Sequence, residues 1–192
     1  MTGAENSGKG GAMKKFSALA LAALLPLAAC GGGAPKPGTK PPPPFFCPQV
    51  AVLQQAQTLT LFLPDRQDVA SRLTTAQITG VSGSCKLQPK KHAVLVTVNT
   101  AFLADNGPAN NGKPFVLSWF AAITDGTHII QKTDYIRVFS FNGNVSAVSG
   151  TAKPVKVELP SIAATQNVEI LVGFEMTPAQ LAYAAANPNA AP

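Results

Sequence analysis

The chain has 192 residues, 46% hydrophobic and only 12% charged, with 17 Pro, 16 Gly, 3 Cys and a formal net charge of +6. That composition excludes a mainly disordered chain, which needs low hydrophobicity and high net charge, and fits one domain with extensions. No apolar run approaches the ~20 residues of a spanning helix, which excludes a polytopic membrane protein, and two histidines with nine carboxylates leave little material for catalysis or metal binding.

From Met13 the chain reads Met-Lys-Lys-Phe-Ser, then an apolar run from Ala18 to Ala29 that ends at Cys30. A basic start, a short apolar core and small residues before a cleavage point form a secretory signal. Met13 is then the expected initiator, with Met1 to Ala12 an upstream extension. The ending Leu27-Ala28-Ala29-Cys30 resembles the lipobox of bacterial lipoproteins. The resemblance implies removal of residues 1–29, a diacylglycerol thioether on the Cys30 thiol and an acyl chain such as palmitate on its new amino group. Two or three acyl chains hold a protein stably on a membrane, at about 0.8 kcal/mol per buried CH₂. Gly31 stands where an Asp would resemble an inner-membrane retention signal, so the expected address is the outer membrane of the cell envelope. A plain secretory signal that happens to end beside a cysteine is the alternative. Without its three lysines and one glutamate, the mature chain carries 12 basic against 8 acidic side chains, +4.

Residues 30–46 form the lipidated cysteine and a tether, GGGAPKPGTKPPPPFF from Gly31 to Phe46. Its glycines swivel, and Pro41 to Pro44 favour a stiff polyproline II rod rising ~3.1 Å per residue. With Cys30 lipidated, Cys47 and Cys85 remain as an even pair in an oxidising compartment. A structural disulfide between them closes a loop of about 39 residues, worth up to ~4 kcal/mol, and puts the domain boundary at Cys47. The absence of a Cys-x-x-Cys pattern argues against a redox pair.

From Cys47 to Met176 the apolar pattern has period two, with turn residues between the runs. Expected strands cover Thr58 to Leu63, Ala76 to Ser84, and Ala93 to Phe102 with Val94, Val96 and Val98 on one face. After the loop Asp105 to Pro114, the run Phe115 to Thr124 is apolar on both faces and reads as a central strand. Asp125-Gly126 is a hairpin signal leading into His128 to Ser140, and Asn142-Gly143-Asn144 is a further turn. The last strands are Thr151 to Leu159 and Asn167 to Met176. Thr177-Pro178-Ala179-Gln180 then carries an N-cap, an N1 proline and a capping-box glutamine, starting a helix from Pro178 to Ala186 that lays Leu181 and Tyr183 against the sheets. Trp119, Phe120, Phe139, Phe141 and Phe174 are expected core residues. Seven or eight short strands without intervening helices point to an all-β fold, an antiparallel β-sandwich over residues 47–187 with a short C-terminal helix and a tail at 188–192. The first expectation for its topology is immunoglobulin-like or fibronectin-like, the second a small barrel.

A resemblance then becomes specific. It rests on Cys47-Pro48 after a Pro-rich tether, Cys85 some forty residues on, Asn106-Gly107-Pro108-Ala109, the strand Trp119 to Asp125, Lys132-Thr133-Asp134-Tyr135, and the run Val172 to Tyr183. Together these resemble a group of alphaproteobacterial envelope lipoproteins over nearly all of Cys30 to Pro188. The resemblance implies an envelope address and carries over no reaction, ligand or catalytic residue.

The search for chemistry finds no catalytic, metal or cofactor-binding constellation. His92 and His128 read as surface or strand-end residues, too few for a zinc site. Val81-Ser82-Gly83-Ser84-Cys85 lacks the first glycine of a nucleophile elbow. Asp65, Asp68, Asp105, Asp125 and Asp134 mostly fit turns or strand ends, where Asx geometry explains them. The Asp105 to Asn111 loop lacks the alternating acidic ligands of calcium loops. Lys86, Lys90 and Lys91 form a basic cluster. It is a candidate contact for anionic lipid headgroups or lipopolysaccharide rather than nucleic acid, which is not an expected partner. Phe45 and Phe46 beside the tether, and Asn106, Asn110 and Asn111 in the loop, are candidate contacts for a protein partner. The expected function is a non-catalytic interaction or assembly module on a membrane complex, anchored through Cys30. The alternative is a binding module for lipid, lipopolysaccharide or peptidoglycan.

Overall fold

The computed structural model describes residues Phe45–Pro192. The signal segment, Cys30 and most of the tether lie outside the described residues. Nine strands run in chain order: β1 (Gln49–Val52), β2 (Thr58–Phe62), β3 (Arg72–Gln88), β4 (Ala93–Asp105), β5 (Phe115–Thr124), β6 (Ile129–Phe139), β7 (Ala147–Thr151), β8 (Val155–Leu159) and β9 (Glu169–Phe174). One α-helix, α1 (Pro178–Ala186), follows them.

The strands form two packed sheets, an all-β sandwich. One sheet has the order β1-β9-β5-β6, the other β2-β3-β4-β7, with β8 also on β4. β7 and β8 share one flank of β4, β7 on Ala101 to Asp105 and β8 on Val94 to Val98. They behave as one edge strand broken at Ala152-Lys153-Pro154. The run expected from Thr151 to Leu159 is therefore two pieces, because proline has no N–H for the ladder and interrupts pairing at an edge.

Immunoglobulin order is recognisable in the middle of the sandwich and lost at one margin. The antiparallel pairs β4 with β7/β8 and β5 with β9 match the central pairs of that topology. Beside β9, where the last strand of an immunoglobulin domain would lie antiparallel, stands β1, the first strand, running parallel. β1 had no signature of its own in the sequence: QVAV is four residues long and no turn sets it off.

The core is the alternation made solid. Val94, Val96 and Val98 of β4 meet Ile170, Val172 and Phe174 of β9, all at most 1% exposed. Phe102 lies at the centre, its ring against Trp119 at 5.5 Å, Phe174 at 5.9 Å and Phe139 at 6.2 Å. Edge-to-face and tilted rings of this kind add to what burial alone supplies. β5 is apolar on both faces for two reasons. Leu117, Trp119, Ala121 and Ile123 face the core, while Phe120 and Ala122 face outward under Leu53, Ala56 and Met176.

The two margins of the sandwich differ. On the β1 side Cys47 and Cys85 are joined, with Cα atoms 5.6 Å apart, and β1 lies over β3 so closely that Gly83 has no room for a side chain beside Val50. On the opposite side β6 and the broken β7/β8 strand leave a cleft between the sheets. The strands also define two ends. Cys47, the β3–β4 turn and the β5–β6 turn lie at one, and the loops 106–114 and 140–146 at the other.

Candidate functional site

Three surfaces carry the residues of interest. At the Cys47 end, Lys86 lies opposite Leu95 on the outer face of the β3–β4 hairpin, and Glu158 of β8 flanks Leu95 on its other side. Lys90 and Lys91 occupy the exposed turn, and Lys91 Nζ sits 3.2 Å from the Glu158 carboxylate. The structure brings the three lysines together beside the cysteine through which the chain enters the domain. It also spends part of Lys91's charge on Glu158. Lys156, two residues from Glu158 along β8 and so on the same side of the strand, adds a further cation to this face.

At the far end, the loop predicted as a contact surface is built from its own hydrogen bonds. Asn110 is buried, and its Nδ2 donates to Asn106 Oδ1 at 2.9 Å and to the Lys113 carbonyl at 2.7 Å. Asn106 Oδ1 also accepts from the Gly112 N–H at 3.1 Å. These two side chains hold the loop; Asn110 is buried by it, while Asn106 is half-buried and lines the hollow beside the loop. Asn111, in the left-handed region at φ 53°, remains on the surface. With Gly107, Pro108 and the turn Gly143 to Ser146 it borders a hollow of about 450 Å³. Phe45 is partly buried against the main core, whereas Phe46 is 66% exposed.

The third surface was not anticipated. β6 is 11 residues long, and among the described residues no strand pairs with its outer edge. The other three margins are short, covered or broken: β1 has four residues, β2 lies under α1 through Phe62 and Tyr183 (ring centroids 5.0 Å apart), and β7/β8 is interrupted at Pro154. On the outward face beside this edge, Val116 (54% exposed), Ile136 (71%) and Val138 (52%) form an apolar patch. Lys132 and Asp134 continue the same face. Lys132 Nζ contacts Glu175, lies 3.3 Å from Asp134 and sits over the Phe120 ring. Its hydrogen bond to Glu175 holds the ammonium above its ordinary pKa.

Behind the edge lies the cleft, about 660 Å³, lined by Trp119, Tyr135, Arg137 and the Ala152 to Val155 break. Tyr135 stacks on Trp119 with centroids 4.8 Å apart, and its burial raises the phenol pKa. The Trp119 indole nitrogen and Arg137 Nε are buried without hydrogen-bond partners. Alternation along β6 was legible in the sequence. That its edge stays open depends on which strand falls beside it.

The remaining titratable groups have structural uses. Asp68 caps a 3₁₀ turn by accepting from the Ser71 N–H, and Arg66 beside it holds the carboxyl below its usual range. Asp125 accepts from the His128 and Thr127 N–H groups, which pull its pKa from 3.8 to about 2. Asp134 lies in the middle of β6 and not in a turn. His92 is in the β3–β4 turn at φ 55°, and His128 is exposed 3.6 Å from Asp125. Among the described residues no group of three His, Cys, Asp or Glu is placed to hold a metal ion, and no helix is long and apolar enough to cross a membrane. No family model matches the chain, and neither a curated protein nor a solved structure shows significant similarity to it.

Proposed function

We propose that this chain is a lipid-anchored protein of the bacterial cell envelope whose β-sandwich acts as a non-catalytic interaction module on a membrane assembly. The address rests on Leu27-Ala28-Ala29-Cys30, with the Cys47–Cys85 disulfide agreeing with an oxidising compartment. The observation that carries the interaction reading is the open β6 edge. Proteins blunt such edges with short strands, proline or covering elements. This domain does so at three margins, and among the described residues its longest edge strand is left unpaired beside exposed Ile136 and Val138.

The test is a photo-crosslinking residue at Val138 in the full-length lipoprotein in living cells, with Cys30→Ala as control. A crosslinked protein product supports the module, and its loss in the Cys30→Ala form ties the contact to the anchor. Recovery of uncrosslinked chain alone overturns it.

One observation favours a second reading, a module that binds anionic lipid or lipopolysaccharide. Lys86, Lys90 and Lys91 surround the end at which Cys47 enters the domain, where a tether would bring them toward headgroups. Each exposed cation near an anionic surface is worth about 1 kcal/mol. This reading expects binding of the full chain to phosphatidylglycerol vesicles that falls steeply with salt and is lost when the three lysines become Ala. Binding that ignores both changes would eliminate it.

A further inference from the structure

We infer that the occupant of the open β6 edge is a second copy of this chain, paired antiparallel, β6 to β6, about a twofold axis through Thr133. The inference rests on the reading of β6 as the contact surface and adds the partner and the register.

Only some registers are available. Side chains alternate across a strand, so pairing must keep the outward row of one copy beside the outward row of the other. The register with β5 defines that row. Gln131, Thr133, Tyr135 and Arg137 lie opposite the core-facing Ile123, Ala121, Trp119 and Leu117, so Lys132, Asp134, Ile136 and Val138 face outward; Ile130 sits at a bulge, skipped by the register between Ile123 and Thr124. An axis on Asp134 sets two carboxylates opposite each other, and an axis on Lys132 sets two ammonium groups opposite each other. Like charges directly opposite are destabilising. An axis on Tyr135 places Asp134 against Ile136 and Lys132 against Val138, leaving both charges without a cross-strand partner.

The axis through Thr133 gives both charges of the row an opposite partner and leaves Val138 beside the β5–β6 turn of the second copy. Lys132 meets Asp134 of the second copy and Asp134 meets its Lys132, so two opposite-charge pairs form. Ile136 falls beside the second copy's bulge at Ile130, also twice, bringing together residues that are 71% and 58% exposed in the isolated domain. On the other face Thr133 meets Thr133. Asp134 is 59% exposed and its contact with Lys132 is along its own strand, so its carboxylate is open to a second cation across the new ladder. The two four-stranded sheets become one sheet of eight, and the edge closes, as closed twofold symmetry requires of a self-complementary patch.

The test uses the purified full-length chain in a Cys30→Ala background, in which an introduced cysteine is the only free thiol beside the Cys47–Cys85 disulfide. Directly opposed residues in an antiparallel pair have Cα atoms about 4.5–5.5 Å apart, within disulfide reach. Thr133→Cys is expected to give a covalent dimer under mild oxidation. Gln131→Cys, whose twin lies four residues away along the strand at roughly 13 Å, is expected to stay monomeric. Sedimentation should show a dimer for the parent chain, and Asp134→Lys should weaken it by about tenfold or more through two like-charge pairs. A monomeric parent chain, or crosslinking at Gln131 as strong as at Thr133, overturns the self-pairing. If the Val138 probe then captures a different envelope protein, the interaction module stands and only its partner changes. If that probe captures nothing, both fall.

Discussion

Asp105 shows how a residue's chemistry depends on what the fold brings beside it. It ends β4, as a strand-end aspartate is expected to, but its work is not an Asx turn. Its carboxylate accepts from the Thr75 N–H and sits 2.8 Å from the Arg72 guanidinium, while its carbonyl takes the Thr74 hydroxyl. Both Thr74 and Thr75 are buried, and the cluster ties the start of β3 to the end of β4. Removing one member of a largely buried ion pair typically costs 3–5 kcal/mol, because the other charge stays behind unpaired. Asp105→Ala should therefore lower unfolding stability by about 3 kcal/mol in urea titrations, and Asp105→Asn by less. Gly107, two residues on, is fixed by backbone. A Cβ there would fall 2.7 Å from the Leu73 carbonyl oxygen and closer still to that of Arg72. Gly107→Ala is expected to destabilise by about 1–3 kcal/mol, read in the same titration. Asp125 gives a prediction with a pH sign. Its folded pKa, about 2, lies below the usual 3.8, so its contribution to stability is complete above the unfolded value and is lost as pH falls toward 2. A carboxyl titration by NMR should show the low midpoint, and Asp125→Ala should flatten the dependence of stability on pH in that window.

At the scale of elements, the strands with strong local signatures came out where their residues placed them. β5 and α1 match their expected spans, and the Thr177–Gln180 capping box forms with both hydrogen bonds. Thr177→Ala should cost about 1 kcal/mol and loosen α1 from β2, seen as faster amide exchange between Pro178 and Ala186. Leu181 contributes less than expected: Tyr183 reaches Phe62, while Leu181 stays 39% exposed. Elements without local signatures were missed or misdrawn. β3 runs to Gln88 because β4 pairs with it from Ala76 onward, and back to Arg72 because β2 pairs with its first residues. β1 exists because β9 offers an edge and the Cys47–Cys85 bond holds it there. Replacing both cysteines by serine should lower stability by up to ~4 kcal/mol. It should also raise exchange in β1 before β4, a difference that a uniformly weakened sandwich would not produce.

For the whole molecule, the arrangement separates candidate surfaces that the sequence could only enumerate. The lysine cluster gathers at the end marked by Cys47, and the Asn-rich loop lies at the other. The open edge runs along the side between them. The lysines were legible because three of them fall within six residues after Cys85. The loop was legible as a loop, but not its internal hydrogen bonding, which buries Asn110 and fixes Asn106 at the rim of the hollow. The β6 edge had no sequence signal at all. Ile136 and Val138 read like any alternating strand, and their exposure follows from the place of β6 at the end of its sheet.

The sequence by itself determined the sandwich class, the buried valine and phenylalanine rows, the cysteine pairing and the capped helix. Each depends on neighbours in the chain or on a count of cysteines, so local order is enough. Only the tertiary structure decided the parallel β1, the break between β7 and β8, the Arg72–Asp105 pair and the open edge of β6. These depend on which strands lie side by side, and long-range pairing is set by how two sheets together bury their apolar faces, a property that no short stretch of residues carries.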